Sequence, residues 1–259
     1  MDFKEKYGSW GLITGASAGL GTCYARAMAE MGLNLVLVAR REERLHQLAE
    51  ELEKTNGIKT LCLPLDLTEE AAIEILGAKT SSLEIGLFVN NAGFGYLNSF
   101  LEQKDSNISK MIRLNCEIPA RLSRLFLAPM AERKRGGMIV LASAAAYLPT
   151  PPMSVYGATK GFDLLLGESL AMEMRSFNVD VLVVSPGHTD TEFHGVAGAQ
   201  SAVVGGTACP EDVVKQSFRL LGKRISFVHG VHNFFLTWLT RFVPRSVVAR
   251  LSFLALKNR

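Results

Sequence analysis

Cysteine is scarce in this sequence, with four in 259 residues (Cys23, Cys62, Cys116 and Cys209), and no two form a C-x-x-C pair. That excludes the usual zinc-ribbon and dithiol motifs. Two of the four fall within apolar stretches, which fits buried free thiols in a reducing compartment. An excess of one charge is also missing. The 28 Lys and Arg nearly balance 25 Asp and Glu, for a net charge of +3. Such a balance argues against a nucleic-acid partner and leaves room for one anionic small molecule. No run approaches 18 uninterrupted apolar residues, so no spanning helix is expected. Residues Met1–Tyr7 hold no apolar signal core, and a cytoplasmic location is the expectation. Neither an internal repeat nor a Pro/Ser-rich linker interrupts the chain, so residues 1–259 read as one domain. What the sequence does have is 48% hydrophobic residues against 20% charged, enough for a large core and too apolar for disorder.

Short apolar runs alternate with helical patterns throughout. Strands are expected at Trp10–Thr14, Leu33–Ala39, Thr60–Leu65, Leu87–Val89, Met138–Ala142 and Val179–Val184, with a weak seventh near Ile225–Val228. Most are continuous rather than alternating, the pattern of a parallel sheet covered on both faces. Helices are expected at Gly19–Met31, Arg41–Lys54, Glu69–Leu76, Asn107–Glu132, Val155–Phe177 and Glu211–Leu221. This order predicts an α/β fold, a Rossmann-type doubly wound parallel sheet of about seven strands. The glycine-rich stretch 187–210 has no periodicity and is expected to be a substrate lid. Over 229–259, Phe235, Trp238, Leu239 and Phe242, then Val247, Val248, Leu251 and Leu254, recur at helical spacing among arginines. Two amphipathic helices follow. They could dock on the protein's own core, on a second subunit or on a membrane surface.

The first strand runs into Thr14-Gly15-Ala16-Ser17-Ala18-Gly19-Leu20-Gly21 and then a helix. Gly15 suits a tight turn, Gly19 the close approach of backbone to a pyrophosphate, and Gly21 close packing of helix on sheet. Free N–H groups at the helix start would face the anion. Where many dinucleotide sites place a carboxylate for the ribose, the second strand ends Ala39-Arg40-Arg41. A guanidinium grips a 2′-phosphate that a carboxylate would repel. NADP(H) is therefore expected, with Arg40 as main contact and Ser17 and Arg41 in support. Arg41 could equally begin a solvated helix face, since Glu42, Glu43 and Arg44 follow.

Tyr156 and Lys160 stand four apart on a helix and share one face. Ser143 ends a strand 13 residues before Tyr156, Asn90-Asn91-Ala92-Gly93 follows the fourth strand, Asn115 lies in the next helix, and Pro186-Gly187 follows the sixth strand. Open α/β sheets bind ligands beyond the carboxyl ends of their strands, where these residues fall. His229 and His232 lack an acidic or cysteine partner nearby, so no metal site is expected.

With Thr14-Gly-x-x-x-Gly-x-Gly21, Asp66, Asn90-Asn-Ala-Gly93, Asn115, Ser143, Tyr156-x-x-x-Lys160 and Pro186-Gly187 in order, the chain resembles the short-chain dehydrogenase/reductase family over about residues 8 to 228. It looks most like a bacterial subgroup related to long-chain acyl and steroid ketone reductases. The resemblance implies hydride transfer between a nicotinamide and a carbonyl or carbinol carbon. Asn115, Ser143, Tyr156 and Lys160 would be the catalytic residues. Tyr156 would be the acid in reduction, its pKa brought down by the Lys160 ammonium. Ser143 would bond the substrate oxygen, and Asn115 would hold a water in a proton relay. Besides the turn residues, Lys160 would bind the nicotinamide ribose, Asp66 and Leu67 would meet the adenine, and Thr189 and Thr191 the carboxamide, while His188 receives no catalytic role. The same family pattern places cofactor contacts at Leu20, Asn91, Ala92, Gly93, Tyr156, Pro186 and Gly187. It also implies a homodimer, often doubled to a homotetramer, through Asn107–Glu132 and Val155–Phe177. The surrounding loops offer Phe94, Tyr96, Tyr147, Leu148, Pro149, Met153, Val155 and Phe193, an apolar wall that suits a lipid-like ketone. A 3-oxoacyl-[acyl-carrier-protein] reductase is the alternative enzyme, with Arg113, Arg121 and Arg124 as a basic rim. A non-catalytic NADP-binding sensor is the alternative of another class.

Overall fold

A computed structural model describes residues 3–96, 98–190 and 207–256. Seven strands form one parallel sheet in the order β3-β2-β1-β4-β5-β6-β7. They are β1 Trp10–Thr14, β2 Asn34–Ala39, β3 Thr60–Pro64, β4 Ile85–Asn90, β5 Gly136–Leu141, β6 Val179–Ser185 and β7 Ser226–Val228. The chain winds outward from β1 to β3, then returns to the other side of β1 with β4. Between β1 and β4 lies the switch point, where crossovers diverge and leave a crevice at the carboxyl ends.

The continuous apolar runs feed two cores, because successive side chains leave a strand on opposite faces. Ile13, Leu35, Leu37, Val89, Ile139 and Val184 join one buried cluster. It is covered by α2 (Gly19–Glu30), α3 (Glu42–Asn56) and α8 (Pro210–Leu220) through Tyr24, Met28, Leu45, Val213 and Phe218. Leu12, Val36, Val38, Phe88, Met138 and Val140 join the other. There α4 (Ala72–Thr80) and α6 (Ile118–Glu132) supply Leu76, Leu122, Phe126 and Met130. The remaining helices are α1 (Phe3–Tyr7), α5 (Asp105–Ile112), α7 (Ser154–Glu173), α9 (Val231–Leu239) and α10 (Arg245–Leu256).

Three expectations are adjusted. The helix placed at Glu69–Leu76 starts at Ala72, because the Asp66 carboxylate accepts the N–H and hydroxyl of Thr68 (2.9 and 2.7 Å) and holds the chain in a turn first. The long helix Asn107–Glu132 begins at Asp105 and contains a wide π turn at Arg113–Glu117. Pro119 has no N–H to offer the carbonyl of Asn115 four residues earlier, and the ladder is rearranged there. Of the stretch expected to be a lid, residues 191–206 lie outside the described residues. Its ends are joined, since Ala208 donates to the His188 carbonyl (2.9 Å) and Asp190 to that of Ala208 (3.1 Å).

Helix α1 packs under the sheet end opposite the crevice. Tyr7 is buried there and its hydroxyl donates to Asp180 (2.9 Å). A Cβ on Gly86 would stand 1.4 Å from the Tyr7 carbonyl oxygen, so backbone passes against backbone. Gly86→Ala is expected to destabilise the fold by about 1–3 kcal/mol through this overlap, measurable as a lower urea midpoint at unchanged slope.

Candidate active site

The phosphate-binding turn occupies the switch point. Gly15 takes φ +68°, in the left-handed region. Gly21 is constrained by space instead, because a Cβ there would lie 2.1 Å from the Gly15 carbonyl oxygen. Thr22 braces the turn by donating to the Ala16 carbonyl (2.9 Å). Gly19 opens α2 and Leu20 packs on the core beneath it. No side chain caps α2, so the N–H groups of its first turn are not spent on a cap. This cradle of small residues at a helix start fits a pyrophosphate.

Asn91 and Ala92, expected as cofactor contacts, serve the turn. The Asn91 amide donates to the carbonyls of Thr14 (2.8 Å) and Gly15 (3.3 Å). The Thr14 hydroxyl accepts the N–H groups of Asn91 and Ala92, both at 3.0 Å. These bonds lock β4 to the turn across 76 to 78 residues of sequence. Gly93 then passes close to two of the other expected residues. A Cβ on it would stand 3.2 Å from Asn115 Oδ1 and 3.5 Å from Lys160 Nζ.

At the far end of β2, Arg41 reaches back to the turn. Its Nε donates to Ser17 Oγ (3.2 Å) and its Nη2 to the Ser17 carbonyl (3.3 Å). Arg40 is 73% exposed and leans toward Asp66, with Nη1 3.9 Å from Oδ2. Burial would raise the Asp66 carboxyl, but the two Thr68 bonds and Arg40 outweigh it and hold the group below the usual range. The geometry thus gives Arg41, rather than Arg40, the contact with Ser17. Leu67 has its side chain in the core and offers only backbone to a ligand.

The chemical residues meet at the ends of β4 and β5. Ser143 hydrogen-bonds Tyr156 and accepts the Ala145 N–H (3.1 Å). The next residue, Ala144, donates to the Pro186 carbonyl (2.8 Å), tying this loop to Pro186-Gly187. Thr189 is buried and donates to the Gly187 carbonyl (3.2 Å), whereas Thr191 and Phe193 lie outside the described residues. Asn115 is fully buried in the π turn. Its amide donates to the Phe94 carbonyl (2.8 Å) and Thr159 Oγ1 (3.0 Å), and its Oδ1 accepts the Phe94 N–H (3.1 Å). Its side chain therefore braces the loop carrying Phe94, and both its donors are engaged without a water.

Lys160 is buried and donates to the Leu141 carbonyl (2.7 Å) and to Asp163 Oδ2 (2.8 Å). Asp163 is buried too, and its Oδ1 has no partner among the described residues. Burial opposes the Lys160 charge, but Asp163 more than offsets it and holds the ammonium above the ordinary lysine value. Burial likewise pushes the Tyr156 hydroxyl above the ordinary phenol value, against the pull of Lys160 and Ser143 and with a further push from Asp163. The expected lowering of Tyr156 by Lys160 is corrected accordingly, since desolvation exceeds the effect of an ammonium that already has a counter-ion. Asp163 is not among the residues expected at the site. Its signal was a carboxylate three residues after a lysine, hence its neighbour on one helix face.

A cradle for a pyrophosphate beside a buried Tyr and Lys and a half-buried Ser is the site of a dinucleotide-dependent oxidoreductase. The sequence model of the short chain dehydrogenases matches residues 10–202. The chain is 31% identical over 234 residues to 7beta-hydroxysteroid dehydrogenase of Clostridium sardiniense, covering 90% of each. It is 30% identical to very-long-chain 3-oxoacyl-CoA reductase of Anas platyrhynchos, covering 94% of this chain and 78% of that one. A solved 7beta-hydroxysteroid dehydrogenase superposes with a TM-score of 0.90 at 29% identity, over 97% of this chain and 99% of the other. A short-chain dehydrogenase from Sphingobium yanoikuyae in complex with NADPH gives 0.81 at 30% identity, over 90% and 93%. The chain belongs to the short-chain dehydrogenase family. It is an oxidoreductase of the CH–OH/C=O interconversion that binds a nicotinamide dinucleotide.

Removing Asp163 leaves the Lys160 charge buried and unpaired. Asp163→Ala is expected to cost about 3–5 kcal/mol of stability, read as the change in unfolding free energy by urea denaturation.

Proposed function

We propose that this protein is an NADP(H)-dependent reductase of an apolar, lipid-like ketone, working as one catalytic unit. The observation that carries this reading is the buried Tyr156–Lys160 pair with the half-buried Ser143 beside an apolar wall. Phe94 and Tyr96 stand edge to face there, with centroids 5.4 Å apart, and Tyr147 packs against Ala142, Leu164 and Val183. The relatives act, by their names, on a hydroxysteroid and on long-chain 3-oxoacyl thioesters, both bulky and apolar, which supports the same substrate class.

The bound dinucleotide supplies or accepts the hydride. Turn residues Gly15 to Gly21 would hold its pyrophosphate, Ser17 and Arg41 its 2′-phosphate, Arg40 and Asp66 the adenine end, and Lys160 the nicotinamide ribose. Tyr156 delivers its proton to the substrate oxygen as the carbonyl becomes an alcohol, and Ser143 donates a hydrogen bond to the same atom. The Lys160 ammonium limits the energy of the phenolate left behind. Because Asn115 spends its amide on Phe94 and Thr159, it acts by holding the π turn and the loop, not by holding a water on its side chain. The chain pairs into a homodimer through α5–α6 and α7, a face on which Phe162, Leu165 and Met172 are exposed.

Tyr156→Phe is expected to lower kcat for ketone reduction by about 10²–10⁴-fold at unchanged NADPH affinity. A screen of steroids and 3-oxoacyl thioesters by NADPH oxidation supplies the assay. Unaltered activity would remove the proton-transfer role. A phenol held above its ordinary value of about 10 stays protonated through neutral pH. Reduction should therefore be flat from pH 6 to 9, while alcohol oxidation, which needs the phenolate, climbs with pH over that range.

Arg41→Ala and Arg40→Ala are each expected to weaken NADPH binding and spare NADH. The loss of a charge-assisted hydrogen bond, roughly 1.5–3 kcal/mol, would make the NADPH effect about tenfold or more, and Arg41 should show the larger effect. Calorimetric titration with both cofactors is the check, and a wild-type preference for NADH would overturn the NADP assignment.

A further inference from the structure

The two C-terminal helices leave much of their apolar surface exposed. On the side of α9 that meets the body, Phe234, Thr237 and Trp238 line a cavity with Tyr147 and Arg241. Asn233 donates to the His229 carbonyl (3.0 Å) and lies so close to Gly187 that a Cβ there would be 2.0 Å from its amide nitrogen. Thr237 is 3% exposed and donates to the carbonyls of Asn233 and Phe234. Outward go Phe235 and Leu239, followed by Phe242 (69% exposed) in the link to α10. In α10, Val248 and Ser252 are buried, while Val247, Leu251 and Leu254 (66%) face out. Much of the apolar stripe is thus on the surface, in amounts beyond the usual scatter of single apolar residues.

Charge is segregated toward the same end of the chain. The last 47 residues, from Val213 to Arg259, hold nine Lys and Arg and no Asp or Glu, and five of the nine follow Val231. The first 212 hold all 25 acidic residues against 19 basic ones. Arg245 and Arg250 are exposed among the outward apolar side chains, and neither has a carboxylate partner among the described residues. A second copy seated on this face about a two-fold axis would press cation on cation with no anion to offset it. The exposed apolar side chains of α7 also give such a copy a face elsewhere. An aromatic and aliphatic ridge carrying unpaired guanidinium groups matches the boundary between anionic headgroups and acyl chains.

We propose that α9 and α10 seat this protein on the surface of a membrane containing anionic lipid. Phe235, Phe242, Leu251 and Leu254 enter the headgroup–acyl boundary, and Arg245 and Arg250 meet the phosphates. No helix among the described residues is long and apolar enough to cross the bilayer, so the contact is peripheral. The assignment rests on the surface alone and is independent of the ketone.

The test is sedimentation of the full chain with vesicles of phosphatidylglycerol and phosphatidylcholine, compared with phosphatidylcholine alone. Light scattering of the same samples without lipid reports the oligomeric state. Binding to the anionic vesicles is expected to be at least tenfold stronger and to fall as salt rises. Phe242→Ser with Leu254→Ser, and separately Arg245→Gln with Arg250→Gln, should each reduce it tenfold or more at unaltered NADPH affinity and unaltered mass. Failure of the wild type to bind, equal binding to both vesicle types, or a drop in mass for the serine variant with vesicle binding intact would overturn the proposal. The last result would make the face a subunit contact.

Discussion

A charged ammonium buried beside a phenol is the constraint on which the site depends. Lys160 has left water, and two oxygens replace its hydration: the carbonyl of Leu141 at the end of β5 and the carboxylate of Asp163 on its own helix. The first fixes α7 against the carboxyl end of β5, where Ser143 emerges. The second keeps the lysine charged in a place where burial alone would neutralise it. Tyr156, one turn back along the same face, inherits its position from that attachment. Its protonation state follows from a competition in which desolvation exceeds the pull of a partly compensated cation.

The crevice around this pair is held by bonds that carry no chemistry of their own. Asn91 and Thr14 fasten β4 to the phosphate turn, Asn115 fastens the loop of Phe94 to α7 through Thr159, and Ala144 fastens the Ser143 loop to Pro186. Each joins elements that the doubly wound topology brings to one sheet end from distant parts of the chain. The Asn91 and Asn115 side-chain amides donate to protein groups and give rigidity to the neighbours around the crevice.

Much of this was legible beforehand. Continuous apolar runs identified the parallel sheet, because a strand buried on both faces cannot alternate. The Gly15–Gly21 turn and the Tyr156–Lys160 spacing located the crevice, since both are local patterns whose geometry follows from a turn or one helical repeat. The π turn was hidden, although Pro119 four residues after Asn115 was a readable signal for it. Asp163 was passed over because a carboxylate on a helix usually faces water, and nothing in the helix pattern says that this face meets the end of β5. Arg40 and Arg41 were both visible as cations at the end of β2, but their division of labour depends on which one curls back toward Ser17.

The sequence alone determined the order of strands and helices, the glycine turn, and the pairing of a tyrosine with a lysine on one helical face, all consequences of spacing within a few residues. Only the tertiary structure decided that Asp163 neutralises Lys160 and that Asn91 closes on Thr14. It also decided that the C-terminal helices turn much of their apolar stripe outward. Helical periodicity shows that a stripe exists, whereas the direction it faces depends on packing. Here Asn233 packs beside Gly187 and Thr237 is buried, which leaves Phe235 and Phe242 to the surroundings.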